Sequence, residues 1–152
     1  METADFTFTL LVDKSPEKVF QAISNVRAWW SGFHAEEING GTEKLHDKFS
    51  FFAGGGAHYT EHKLVEVIPN RKIVWLTTHS SFSFVENPNE WTNTEVIFEI
   101  SEKGNQTQLV FTHKGLTPKL ECYDTCSASW AQYLTDKLLP LINSEEPEAV
   151  IK

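Results

Sequence analysis

The end of this chain constrains its fold more than any other part. Between about Leu120 and Ile142, the residues Tyr123, Ser127, Trp130, Leu134, Leu138 and Leu141 recur three or four apart. That spacing puts side chains on one face of a helix. A closing helix with so long a stripe must lie against a large apolar surface. Directly before it, Thr107 to His113 alternates as Thr-x-Leu-x-Phe-x-His and runs into Gly115 and Pro118, a strand followed by the punctuation that ends it.

The upstream sequence supplies the rest of such a surface. Asp5 to Val12 reads as a half-buried strand, with Phe6, Phe8, Leu10 and Val12 on one face and Thr7 and Thr9 on the other. Ser15-Pro16 pairs an N-cap with a first-turn proline and opens a helix through Val19, Phe20 and Ile23 to about Asn25. Arg27 to Gly32, with Trp29 and Trp30, suits a second short helix or turn that plugs one end of the core. Gly40-Gly41 marks a turn. Asp47 to Phe52, Ala57 to Ile68 and Arg71 to His79 read as strands, and Ser80 to Val85 as a further one. Gly54-Gly55-Gly56 is a hairpin loop and not a phosphate cradle, because neither Lys-Ser/Thr nor a helix follows it. Trp91 to Ile100 and Thr107 to Lys114 flank the turn signal Lys103-Gly104-Asn105. Val96, Phe98 and Ile100 share one face there, as do Leu109, Phe111 and His113. The expected organisation is one domain over residues 1–143 and an acidic tail over 144–152. Within the domain, a strand and two short helices precede an antiparallel meander whose concave face the long helix covers.

Charge and composition exclude several classes. A net charge of −8 repels phosphate backbones, so no nucleic-acid partner is expected. No apolar run approaches the roughly 20 residues that span a bilayer. The first residues lack the basic start and apolar centre of a signal peptide, so the expected location is cytoplasmic. Eleven Phe and five Trp exceed what a modest core needs, and such rings fill cores and line apolar pockets alike. Cys122 and Cys126, four apart on the last helix, share a side but lack the Cys-x-x-Cys redox spacing. They are expected as reduced packing residues.

Several residue sets resemble known proteins. They are Ser15-Pro16-Glu17-Lys18-Val19-Phe20, the Trp29-Trp30 pair, Leu64-Val65-Glu66-Val67-Ile68-Pro69 with Ile73-Val74-Trp75, Thr94-Glu95-Val96-Ile97-Phe98, Thr107 to His113, and Trp130 leading to Leu134. In this order they resemble the START-related superfamily, whose helix-grip fold is shared with birch-pollen-allergen-like proteins and polyketide cyclases. More narrowly they resemble the single-domain family named for the activator of the heat-shock chaperone ATPase. The resemblance implies an α+β helix-grip fold, a curved antiparallel sheet wrapped around a long C-terminal helix. Where many relatives carry glycines before the strand near Phe49, this chain has His46-Asp47-Lys48.

The residues themselves point to binding more than to catalysis. Among six histidines no pair has the compact spacing of a zinc enzyme, so no metal or other cofactor is expected. No nucleophile elbow and no dinucleotide fingerprint appears, and no catalytic residue is assigned. Glu61 and Asp124 are the carboxylates that a cup could raise in pKa, with solvated charge as the alternative for each. The expected function is binding of a small, largely apolar molecule between sheet and last helix. Trp30, Trp75, Phe98, Phe111 and Trp130 are expected as walls, and Ser127 as the small residue that leaves room. His79 and His113 are the expected polar groups, with a structural hydrogen bond as the alternative for His113. A polyketide-cyclase-like enzyme using the same cavity and a module acting on a chaperone ATPase are the alternative functions.

Overall fold

Alternation and caps build most of the elements. A computed structural model describes residues 5–83, 85–87 and 89–144. Strand β1 (Phe6–Val12) leads to α1 (Pro16–Ser24), where Ser15 Oγ accepts from the Lys18 amide at 3.1 Å and Pro16 sets the first turn. The short α2 (Val26–Trp29) follows. Strands β2 (Glu37–Gly40), β3 (Lys48–Ala53), β4 (His58–Ile68), β5 (Lys72–Phe82), β6 (Glu95–Lys103) and β7 (Gln106–Lys114) then precede the closing helix. All strand pairs are antiparallel, in the order β1-β7-β6-β5-β4-β3-β2.

Register places one row of large side chains on the concave face. Val96 pairs with His113, Phe98 with Phe111 and Ile100 with Leu109, while Phe98 also faces Ile73 and Val96 faces Trp75. Two irregularities bend the central β4–β5 pair. Leu64 pairs with Trp75 but Glu66 with Val74, leaving Val65 extra on β4; Glu61 pairs with His79 but His62 with Thr77, leaving Thr78 extra on β5. Such bulges add local twist and curvature. The curved sheet can therefore wrap the helix.

The closing helix comprises α3 (Tyr123–Tyr133), a wide π turn over Leu134–Leu138 and α4 (Leu139–Asn143), with helical backbone at each junction. Pro140 lacks an amide hydrogen and its ring crowds the carbonyl four residues back, which accounts for the widened turn before it. Both helix ends are satisfied from elsewhere in the fold. The Glu90 carboxylate accepts from the Glu121 and Cys122 amides at 2.8 and 3.0 Å. At the other end Lys18 Nζ donates to the carbonyls of Ile142 and Ser144 at 3.0 and 2.7 Å.

Four expectations change. Helix α3 begins at Tyr123, after a turn through residues 120–122, not at Leu120. Its buried stripe is Cys122, Cys126, Trp130, Leu134, Leu138 and Ile142, so Tyr123, Ser127 and Leu141 lie beside the stripe instead of on it. The residues 80–82 continue β5 instead of opening a new strand, and residues 91–93 form a turn instead of starting β6, which begins at Glu95. The edge strand β2 was not anticipated. It is too short to alternate visibly, and Arg27 secures it by donating to the carbonyls of Ile38 and Gly40 at 3.2 and 2.8 Å. The expected tail lies, apart from Ser144, outside the described residues. Before β3, His46 takes a left-handed φ of 76°, and Asp47 Oδ2 steadies the turn by accepting from the Glu43 and Lys44 amides.

Candidate ligand pocket

A cavity of about 200 Å³ lies between α3 and the β3–β4 end of the sheet. Thr125, Cys126, Ser129, Trp130 and Tyr133 of α3 form one wall. Opposite stand Phe51 and Ala53 at the end of β3, then Gly54, Ala57 and His58. Trp30 and His34 close a third side, and Trp91, from the turns before β6, completes the lining. His34, Gly54 and Thr125 are exposed and form the mouth. No Asp, Glu, Lys or Arg lines the cavity.

Stacked rings make the walls rigid. Trp30 stacks on Phe51 with centroids 3.8 Å apart and on Trp130 at 4.9 Å, and Trp130 stacks in turn on Trp91 at 5.7 Å. Trp91 also meets the edges of two histidines, His58 at 4.9 Å and His113 at 4.5 Å. Behind this layer, His113 is wholly buried and fully engaged. Trp130 Nε1 donates to its Nδ1 at 3.0 Å, so the ring proton sits on Nε2, which donates to Thr94 Oγ1 at 2.8 Å; that hydroxyl donates onward to the Trp91 carbonyl at 2.6 Å.

Three titratable groups on the wall, His58, Cys126 and Tyr133, stay uncharged at neutral pH. Burial, with minor repulsion from His34, lowers the pKa of His58 to about 4. A hydrogen bond shared with Cys122, followed by burial, pushes the Cys126 thiol far above its usual range, while the Trp91 indole acts weakly the other way. Cys126 is thus a protonated packing thiol and no nucleophile, and both cysteines are free. The Tyr133 hydroxyl donates to Glu36 Oε2, and Glu36 Oε1 accepts from the Gly32 and Phe33 amides at 2.8 and 3.2 Å. Burial raises the Glu36 pKa, but these hydrogen bonds outweigh it and the net shift is downward. The carboxylate so clamps the loop that carries His34 against α3.

Of the residues singled out from the sequence, Trp30 and Trp130 line this cavity. Trp75, Phe98, Phe111 and His113 are buried behind the lining, in the solid part of the core. Trp130 does contact Phe111, at 4.7 Å between centroids. Ser127 faces away, its hydroxyl donating to the Tyr123 carbonyl at 2.6 Å. His79 is exposed on the convex face, because the extra Thr78 reverses the alternation that Ile73, Trp75 and Thr77 begin. Glu61 accepts from the Tyr59 hydroxyl at 2.6 Å and Asp124 is exposed; neither lines the cavity.

Trp91, His58, Phe51, Tyr133, Cys126 and Ser129 were missed as lining. One signal was available for Trp91, a tryptophan amid the turn formers Asn87, Asn89, Asn93 and Pro88, since a bulky ring on a turn is a natural plug. Cys126 and Ser129 follow once the helix is rotated by one residue. Among the described residues, no group of three or more His, Cys, Asp or Glu is placed to hold a metal ion, and no helix is long and apolar enough to cross a membrane.

A curved seven-stranded antiparallel sheet gripping one long helix, with a cavity between them, defines a START-related helix-grip domain. Within that class, the chain belongs to the Activator of Hsp90 ATPase homolog 1-like family, whose sequence profile matches residues 13–142. Solved structures share the fold. The Aha1 dimer of Colwellia psychrerythraea is 23% identical, with a TM-score of 0.72 over 94% of this chain and 99% of that one. A Mesorhizobium loti protein is 17% identical, with a TM-score of 0.70 over 93% and 99%. CalU16 of Micromonospora echinospora is 17% identical, with a TM-score of 0.58 over 93% and 76%. Among curated protein sequences none matches.

Proposed function

We propose that this protein binds a small, largely apolar molecule, without catalysis, in the cavity between α3 and the β3–β4 end of the sheet. The observation that carries this reading is the lining itself: stacked aromatic rings, the small residues Ala53, Gly54, Ala57 and Ser129 between them, and no Asp, Glu, Lys or Arg. Pockets with apolar walls and few polar groups are the usual form of small-molecule sites. A cyclase-like reaction in the same cavity has weaker support, since it needs a general base near neutral pH. Inside the lining stand a histidine whose pKa has fallen to about 4 and a thiol that stays protonated, and the other histidine, His34, stands only at the exposed mouth. Action on a chaperone ATPase is a second reading, favoured by the family's description.

Fluorobenzene titrated into the protein and followed by ¹⁹F NMR tests the first reading. One saturable site is expected, and Ser129→Phe, which grows a ring from the lining, should abolish it while the thermal midpoint shows the variant folded. Non-saturable partitioning, or binding that survives Ser129→Phe, would sink the cavity reading and move the chaperone reading ahead.

A further inference from the structure

Helix α3 carries Thr125, Ser127 and Ser129, and their hydroxyls are satisfied differently. Inside a helix, serine and threonine commonly turn back to a carbonyl one turn earlier. Ser127 does so, donating to the Tyr123 carbonyl at 2.6 Å, and it lies off the cavity. Thr125 and Ser129 line the cavity, and neither hydroxyl bonds to any described residue. Four residues apart on one helix, they stand one above the other on the same face. Both are within reach of a bound molecule, since Ser129 is half-buried and Thr125 is exposed at the mouth. His34 stands on the third side of the mouth, and its ring makes no hydrogen bond with a described residue. Its backbone is pinned there, the carbonyl accepting from the Gly54 amide at 3.0 Å. Three polar side chains with unused hydrogen-bonding capacity thus stand at or beside the mouth, while the stacked rings of Trp30, Phe51 and Trp130 wall the interior.

We propose that Thr125 and Ser129, with His34, hold the polar head of the ligand, and that the ligand is a neutral molecule of about one flat ring bearing a single hydroxyl- or carbonyl-type group. This rests on the cavity reading above and sharpens it: the ring lies inside and the head points to the mouth. Size follows from the volume: about 200 Å³ slightly exceeds the roughly 150 Å³ apolar cavity that takes up benzene. Flatness follows from the stacked walls. Neutrality follows from a lining without Asp, Glu, Lys or Arg to offset a charge. The exposed Asp124, next to Thr125, would moreover repel a carboxylate head. The kind of head follows from its partners, because hydroxyls and an imidazole both donate and accept. Its place follows from desolvation: deep among the rings a polar group would lose its water without a substitute, whereas at the mouth two hydroxyls replace it.

The probes para-fluorobenzyl alcohol and para-fluorotoluene, titrated by ¹⁹F NMR, test the proposal, because they share the ring and differ in the head. In the wild type both should bind. The double variant Thr125→Val, Ser129→Ala should weaken the alcohol relative to the hydrocarbon by about 3- to 10-fold, the value of one ordinary hydrogen bond. In the wild-type protein, nuclear Overhauser contacts should join the benzylic protons to the Thr125 methyl, and the ring protons to the Trp30 and Trp130 indoles. The charged para-fluorobenzoate should bind more weakly than the alcohol. An unchanged ratio in the double variant overturns the head site while leaving the cavity reading intact, and so does binding of the hydrocarbon alone. Benzoate binding more tightly than the alcohol overturns the neutral head. Should the double variant fail to fold, orientation decides alone, and benzylic contacts with the indoles but not with Thr125 overturn the head site. Neither the alcohol nor the hydrocarbon binding removes the cavity reading and the head site together.

Discussion

Trp130 occupies a position where three demands meet. Its ring packs on Phe111 and stacks between Trp30 and Trp91, and its N–H fixes the tautomer of His113. Trp130→Ala removes a ring that is 1% exposed and should cost about 3–5 kcal/mol in denaturant unfolding. Trp130→Phe keeps most of the packing but leaves His113 Nδ1 without its donor, a loss of about 1–3 kcal/mol. Equal costs for the two variants would mean that the hydrogen bond, not the ring, accounts for everything; a cost below about 1 kcal/mol for Trp130→Ala would remove it from the core altogether. The sequence made Trp130 legible because it is a large apolar residue at a helical repeat. It could not reveal that His113 belongs to the same unit. A strand-end histidine reads identically whether it lines a pocket or accepts from a neighbouring indole.

At the scale of elements, alternation identified β1, β4, β6 and β7, and Ser15-Pro16 fixed the start of α1, since each of these rests on local chemistry. The bulge at Thr78, the short β2 and the start of α3 rest on distant partners: on the pairing with β4, on Arg27 and on Glu90 respectively. No local pattern reports such partners, and the pocket residues were misplaced for this reason. Strand β2 offers a test of how a turn holds an edge. Gly40 has φ 114°, and a Cβ there would stand 2.2 Å from the Lys48 carbonyl oxygen; Gly104, at φ 62°, has nothing within 4 Å. Gly104→Ala should therefore cost only the left-handed backbone penalty of about 1–2 kcal/mol. Gly40→Ala should cost more than about 3 kcal/mol, adding backbone strain to a clash with β3, and should strip hydrogen-exchange protection from β2 first. Similar costs for the two variants would show that the β2–β3 turn yields without effect.

Across the whole molecule, the core carries three histidines that folding keeps neutral. His58 on β4 has its pKa lowered to about 4 by burial and then by His34. Burial foremost, then His58, lowers His113 on β7 to about 3. His62, on β4 beyond Thr60, is pushed well below its ordinary value by burial, then by His113 and His58. Its ring is fixed between the Thr60 and Thr77 hydroxyls, at 2.8 and 3.1 Å. The unfolded chain protonates each imidazole near its ordinary 6.5, whereas the folded protein does not until far lower pH. Unfolding thus takes up protons below about pH 6.5, and acid favours the unfolded state. The stabilisation is complete above that value and is lost progressively as pH falls toward the folded-state values. Between pH 7.5 and 5.5 each histidine should remove about 1.4 kcal/mol, or about 4 kcal/mol for three. Carboxylates such as Glu36, whose folded pKa lies below the ordinary 4.5, contribute only at lower pH, so this window isolates the histidines. Denaturant unfolding at the two pH values, with proton uptake measured at pH 5.5, checks the expectation. A change below about 1 kcal/mol, or uptake near zero, would mean that these rings are already charged in the folded core.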